Sequence, residues 1–280
     1  MTLLKIAAKT TKQAQFAKTA LENLGIEAHI TLTEHLEHAL LSGDVDIAIR
    51  MLSEVPIAPI AGMVTTAVSQ RENVGEVLLI RIESTDNQLF KLKKGAKVGL
   101  KTALQSVQLQ AFRPDVVLIN IATQSNKEVL DALMGGALDA VLDAKSEVSA
   151  WDIDESKFEL LPLHPREFVP PPAQGVYAWQ VREENKALRQ LLKPLHHSDV
   201  SALTNVERKV LKLLEKDVDF PLGVYIERDA MSYYHAWAVG QLSENAALVS
   251  VRTSSSTTHG LAEEIVERAS PPSSSQRGEL

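Results

Sequence analysis

The chain has 280 residues, 45% of them hydrophobic, and a formal net charge of −7 at neutral pH. That length and apolar content support a sizeable core and about two domains, while the acidic balance and 5% aromatic content argue against a nucleic-acid or anionic-membrane surface. Cysteine is absent, which excludes disulfides, thiolate metal sites, cysteine nucleophiles and any group tethered through sulfur.

The N-terminal "MTLLKIAAKTTKQ" has only a short apolar patch followed by lysines, without the apolar stretch and cleavage site of a secretory signal. No apolar run approaches the ~20 residues that cross a bilayer. The expected location is cytoplasmic, with neither membrane nor nucleic acid as partner.

In chain order, "LLKIAAK" reads as a strand and "TKQAQFAKTALENLG" as a helix capped by Gly25. "EAHITL" alternates as a strand, "LTEHLEHALLSG" is a helix closing on Gly43, and "VDIAIRML" is a buried-type strand. Alternation of strand and helix predicts a parallel α/β layer. The pattern restarts with "KVGLKTALQSVQLQAFRPDVVLINI" and "NKEVLDALMGGALDAVLDA", and "ESTDNQLFKLKKG" (Glu83 to Gly95) is expected to be the crossing between the two halves. Two such halves imply a cleft, with ligands at strand carboxyl ends and helix N-termini.

"HPREFVPPPAQGVYAWQV" is Pro-rich and then strand-like, so the chain is expected to return to the first half there, with Gly175 allowing close backbone approach. Two helices follow in "NKALRQLLKPLHHSDVSALTNVERKVLKLLEK". "LGVYIERD", "YYHAWAVGQ" and "ALVSVRTS" alternate as an antiparallel sheet covered by "LAEEIVERA". The tail "SPPSSSQRGEL" has the composition of a disordered segment.

Several phrases, in this order, resemble porphobilinogen deaminase, also called hydroxymethylbilane synthase. "EHALLSGDVDIAIRMLSEVP" is similar to the family stretch ending His-Ser-x-Lys-Asp-x-Pro, and "GMVTTAVSQRENVGEVLL" to the strand and Arg-Glu-Asp phrase after it. "AKVGLKTALQSVQLQAFRPD" resembles Val-Gly-Thr-Ser-Ser-Leu-Arg-Arg through Arg-Pro-Asp, and "PPPAQGVYAWQVR" resembles Pro-Ala-x-Gln-Gly-Ala-Leu. "LKPLHHSDVSALTNVERKVLKLLE" resembles the helices leading to Glu-Gly-Gly-Cys-Gln-x-Pro-x-Gly. The resemblance runs from about Lys5 to Arg268. It implies two periplasmic-binding-protein-like α/β lobes with a cleft, plus a C-terminal α+β domain. The expected divisions are 1–82 with 169–185 for the first lobe, 83–168 for the second, 186–269 for the third domain and 270–280 for the tail.

The resemblance also implies the chemistry. The family joins porphobilinogen units head to tail with release of ammonia. It uses a carboxylate at the reacting pyrrole, arginines that clamp substrate carboxylates, and a cysteine that carries a dipyrromethane primer. Residue by residue, the family aspartate falls on Glu54, one methylene longer. The basic and hydroxyl positions fall on Lys9, Thr11, Arg50, Lys101 and Thr102, the expected substrate-binding residues, while the lysine position is Ser53. Lys101 and Thr102 open a helix and are expected to be able to hold one anion. The paired arginines become Leu104 and Gln105, and "NIATQSN" has no arginine where the family has Arg-Gly-Asn.

The stretch "LEKDVDFPLGVY" keeps the frame of the cofactor loop, and the cysteine position is Val218. No dipyrromethane is therefore expected on this chain, since valine carries no nucleophile and Asp217 or Asp219 would give a labile ester. His35 and His38 lie at helical spacing beside Glu34 and Glu37, yet four ligands with a supporting shell are not visible, and no metal is expected.

Three readings remain open. One is a family member that no longer polymerises porphobilinogen and acts as a binding or regulatory protein, with a small anionic or tetrapyrrole-related ligand in a cleft of low basicity. The second is a divergent active hydroxymethylbilane synthase working through Glu54. The third is a two-lobed small-molecule binder unrelated to tetrapyrroles. A protein partner is not identifiable from the sequence.

Overall fold

The computed structural model describes residues 3–149, 151, 153–154, 156–241 and 247–270. The expected disordered tail lies, from residue 271 onward, outside the described residues.

The first lobe grows from strand β1 (Leu4–Ala8), helix α1 (Thr11–Glu22), β2 (Ala28–Leu32), α2 (Leu36–Leu41), β3 (Ile47–Met51) and β4 (Met63–Val68). Helix α1 starts where the Thr10 hydroxyl accepts from Gln13 N, and it buries Ala14, Ala17 and Leu21 along one face. β1 pairs in parallel with β2 and β3. The remaining strand of this sheet arrives from far downstream: β10 (Tyr177–Arg182) inserts antiparallel between β3 and β4. Trp179 and Tyr177 of β10 are fully buried, with Phe16 stacked 4.0 Å from the Tyr177 ring.

The second lobe repeats the plan with β5 (Glu76–Arg81), β6 (Lys97–Leu100), α3 (Ala103–Phe112), β7 (Val117–Asn120), α4 (Asn126–Met134), β8 (Ala140–Ala144), α5 (Lys145–Val148) and β9 (Phe158–Pro162). Its sheet order is β7-β6-β8-β5-β9, with β5 antiparallel to both neighbours. Here two expectations are corrected. The first-lobe boundary at 82 falls beyond β5, and the crossing is not Glu83–Gly95. The apolar run of β5 is buried between β8 and β9. Residues 83–95 fold back on the second lobe, where Arg113 donates to Leu89 O and Leu92 O (2.6 and 2.8 Å).

The actual crossings are 69–75 and 163–176, and they are hydrogen-bonded to each other. Glu72 N donates to Gly175 O (2.7 Å) and Arg71 Nε to Gln174 O (3.1 Å), and at the start of β10 Ser69 N donates to Tyr177 O (2.9 Å) and Tyr177 N to Ser69 Oγ (2.9 Å). Gly175 is required there: its φ is +77°, and a Cβ would stand 3.0 Å from Glu72 O.

The third domain follows α6 (Lys186–Leu191) and a 3-10 turn at Lys193–Leu195. α7 (Ser198–Leu213) and α8 (Leu261–Ala269) cover one face of the antiparallel sheet β11 (Leu222–Arg228), β12 (Tyr234–Gly240) and β13 (Val249–Ser255). A fully buried carboxylate, Glu207 of α7, docks this domain on the crossings. Its oxygens accept from Arg71 Nη1 and Nη2 (2.7 and 3.1 Å), Ala173 N (2.7 Å) and Ile226 N (2.8 Å).

Candidate functional site

A cavity of about 730 Å³ opens between the lobes, in the size range of small-molecule sites. It is lined from the first lobe by Lys9, Ser53 and Glu54, from the second by Lys101 to Leu104, and from the crossing by Pro171 and Gln174. The loop Asp217–Phe220 of the third domain closes it. The first-lobe and second-lobe residues follow the carboxyl ends of parallel strands, the place where open α/β sheets expose their loop ends. The structure thus brings Glu54, Lys9, Lys101, Thr102 and Val218, which lie far apart in the sequence, onto one surface.

Each of these side chains has a local reason for its position. The turn carrying Glu54 is clamped by Arg208 of α7, which donates to Leu52 O (2.8 Å) and Pro56 O (3.0 Å). The Asp217–Phe220 loop is pinned to the same turn, since Asp217 Oδ1 accepts from Ile57 N (2.9 Å) and from Val218 N (2.8 Å). Across the mouth, Lys12 of α1 donates to Ser146 O (3.1 Å) and meets Glu147 Oε1 at 3.4 Å, tying the first lobe to the second.

The cations of the cleft are already engaged. Lys9 Nζ lies 3.9 Å from Glu54 Oε2. Lys101 Nζ lies 2.5 Å from Asp143 Oδ2, which apart from that ion contact has no hydrogen-bond partner. Burial raises the pKa of Glu54 above the ordinary carboxylate value, with Lys9 and Arg50 opposing the shift. Burial likewise raises Asp143, against the pull of Lys101. Beneath them Glu76 is fully enclosed, and desolvation pushes its carboxyl up to about 7. Gln105 Nε2 donates to Glu76 Oε2 (3.0 Å) and Gln174 Nε2 lies 3.4 Å from Oε1.

Two expected substrate-binding positions, Arg50 and Thr11, do not line the cavity. Arg50 is buried and absent from the cavity lining: Nη2 donates to the partly exposed Glu37 Oε1 (2.5 Å) and Nε to the buried Gln180 Oε1 (2.9 Å), so its guanidinium is already engaged. Thr11 is the exposed first residue of α1 and does not line the cavity; the neighbouring Thr10 makes the helix cap. At the helix start, Gln105 Oε1 accepts from Lys101 N (2.9 Å) and Thr102 N (3.1 Å), which occupies those two amides. That capping box was legible as Thr102-x-x-Gln105. Among the described residues no cluster of His, Asp or Glu has metal-site geometry.

Sequence reasoning missed Glu76, Asp143 and Gln174. A lone glutamate opening the apolar run "EVLLI" was the available signal for the first. Nothing local marked the other two.

A family model described as porphobilinogen deaminase, dipyromethane cofactor binding domain, matches residues 2–190. The chain belongs to the porphobilinogen deaminase family. Among curated relatives it is 30% identical over 230 residues to the porphobilinogen deaminase of Streptococcus sanguinis, covering 80% of this chain and 72% of that protein. It is 28% identical over 223 residues to that of Desulforamulus reducens, covering 80% and 70%. Among solved structures it is similar to a Salmonella typhimurium periplasmic binding protein with high arginine specificity (TM-score 0.45, 15% identity, 70% of this chain and 92% of that one). The residues matched by the family model stop short of Val218. Among the described residues, no helix is long and apolar enough to cross a membrane.

Proposed function

We propose that this member of the porphobilinogen deaminase family binds a small ligand in the interlobe cavity without polymerising porphobilinogen. The observation that carries the reading is the pairing of the cleft's charges. Its two lysines each face a carboxylate, while Asp217 and Asp219 add further negative charge to the same lining. A substrate chain bearing two carboxylates per unit needs unpaired cationic donors, preferably the fixed fork of arginine. Among the described residues, the lining has no arginine. A small ligand with few carboxylates suits this cavity better.

The residues do not fit a covalent dipyrromethane. Val218 lines the cavity at the position that corresponds to the attachment cysteine, and its isopropyl group has no atom that can form the bond. The flanking Asp217 and Asp219 would face a poly-carboxylate primer with like charge.

Intact mass spectrometry of the purified chain tests this first. The expected mass is that of the sequence, 30.7 kDa, apart from start-methionine processing. Incubation with porphobilinogen, with and without a preformed primer, is expected to release no ammonia and form no hydroxymethylbilane. One feature favours a second reading: Glu54 keeps a partly exposed carboxyl with a raised pKa beside Lys9, as a general acid would need. If wild type turns over porphobilinogen and Glu54→Gln abolishes it, the divergent enzyme is the correct reading.

A further inference from the structure

A second cavity, of about 470 Å³, lies on the first lobe away from the cleft and is lined by Thr66, Lys186, Arg189, Gln190, Lys193 and His196. Its chemistry follows from helical spacing. Residues 186, 189, 190 and 193 fall at i, i+3, i+4 and i+7, so three cations share one face of α6 and the turn that continues it. The opposite face carries Leu188 and Leu192, which are buried in the lobe's core. The edge strand β4 contributes Thr66 from the other side.

None of the three cations has an ion-pair partner among the described residues. Arg189 makes one long contact, 3.4 Å, to Glu183 O, and Lys186 and Lys193 make no side-chain bond. Like charges three and four residues apart on a helix repel. In a chain of net charge −7 this repulsion is left uncompensated, although acidic residues are abundant elsewhere. His196 adds a directed donor. Its Nδ1 accepts from Val68 N (3.3 Å), and His197 N donates to Val68 O (3.0 Å), which fixes the ring against β4. With Nδ1 accepting, the proton of the neutral ring is on Nε2. Among the described residues, no carboxylate lines the cavity.

We propose that this cavity is a binding site for a small phosphoryl-bearing anion, a phosphomonoester or a diphosphate. A phosphoryl group brings up to two negative charges and three acceptor oxygens to one point. That matches one guanidinium fork, two ammonium groups, an imidazole N–H and a hydroxyl better than a single carboxylate does. The space exceeds one phosphoryl group, which leaves room for the body of the ligand. The inference does not depend on the reading of the interlobe cavity.

Isothermal titration of the full chain with inorganic pyrophosphate, near ~0.15 M salt, tests it, with citrate as the carboxylate arm. Saturable one-to-one binding of pyrophosphate is expected, stronger than that of citrate. Arg189→Gln and Lys193→Gln should each weaken it by about tenfold or more, and adding Lys186→Gln should remove it. These side chains are exposed or half-exposed, and relieved repulsion should leave the ligand-free melting temperature unchanged or slightly higher. Lys101→Gln, in the interlobe cavity, should leave pyrophosphate affinity as in wild type. The proposal is overturned by absence of saturable binding, by binding that survives the triple substitution, or by loss on Lys101→Gln instead. Citrate binding as tightly as pyrophosphate would overturn the phosphoryl assignment.

Discussion

Arg71–Glu207 at the domain junction and Lys101–Asp143 in the cleft are both ion pairs with a buried carboxylate, yet their surroundings differ. Glu207 accepts four hydrogen bonds, two from Arg71 and two from backbone amides. Arg71 in turn donates to Gln174 O (3.1 Å) and lies over the Tyr225 ring (5.2 Å). In the cleft, Asp143 Oδ2 meets one ammonium and nothing else, and Glu76 close by is pushed toward its neutral form. A buried charge with every lone pair satisfied holds elements together. One that is half satisfied costs stability and persists where a site requires it. The family architecture is kept by the first kind of contact, and the cleft is occupied by the second.

The largest effect is expected at the junction. Glu207→Ala leaves Arg71 and two backbone donors without their acceptor and should cost about 3–5 kcal/mol, read as a shift of the urea midpoint. Arg71→Ala should cost a similar amount, and the double variant far less than the sum. A loss no larger than that of a surface pair would erase the contrast.

Next comes the pH dependence of Glu76. Its folded-state pKa is raised from 4.5 to about 7, so the folded chain holds this proton more tightly than the unfolded chain. The contribution is therefore fully present below about 4.5, is lost as pH rises, and levels off above about 7. The full span is on the order of 3 kcal/mol. Glu76→Gln should flatten the slope of melting temperature against pH in that window, leaving a residue from Asp143, which shifts the same way.

A smaller asymmetry sharpens the picture of the cleft. Lys101→Met leaves Asp143 with only the Ala144 amide on Oδ1 and nothing at the buried Oδ2, and should cost roughly 2 kcal/mol, whereas Asp143→Asn releases a lysine that can reach solvent and should cost less. Equal losses would mean that the Ala144 amide satisfies the carboxylate without the lysine. Last, Glu54→Gln breaks a long contact between two partly exposed groups, and its effect on stability should stay below about 0.5 kcal/mol. Chemical denaturation of these variants places all of them on one scale.

Much of the architecture was readable because it is local. Helix starts such as Thr10 and Thr102, the strand-helix alternation of both lobes and the alternating strands of the third domain are properties of short windows. The placement of β5 was not, because an apolar run states that it is buried without stating which sheet buries it. The return strand β10 was legible as a strand, while its insertion between β3 and β4 depends on pairing across more than a hundred residues.

The same division runs through the sites. On its own the sequence states that this chain has no cysteine and that residues 104, 105 and 218 are leucine, glutamine and valine. These are statements about which atoms exist, and no fold can change them. Only the tertiary structure decided which charges are free. It paired Arg50 with Glu37, set Lys101 on Asp143, and left Lys186, Arg189 and Lys193 without ion-pair partners among the described residues beside His196. The strength of a charge in a site depends on its neighbours within a few ångströms, and those neighbours come from distant parts of the chain.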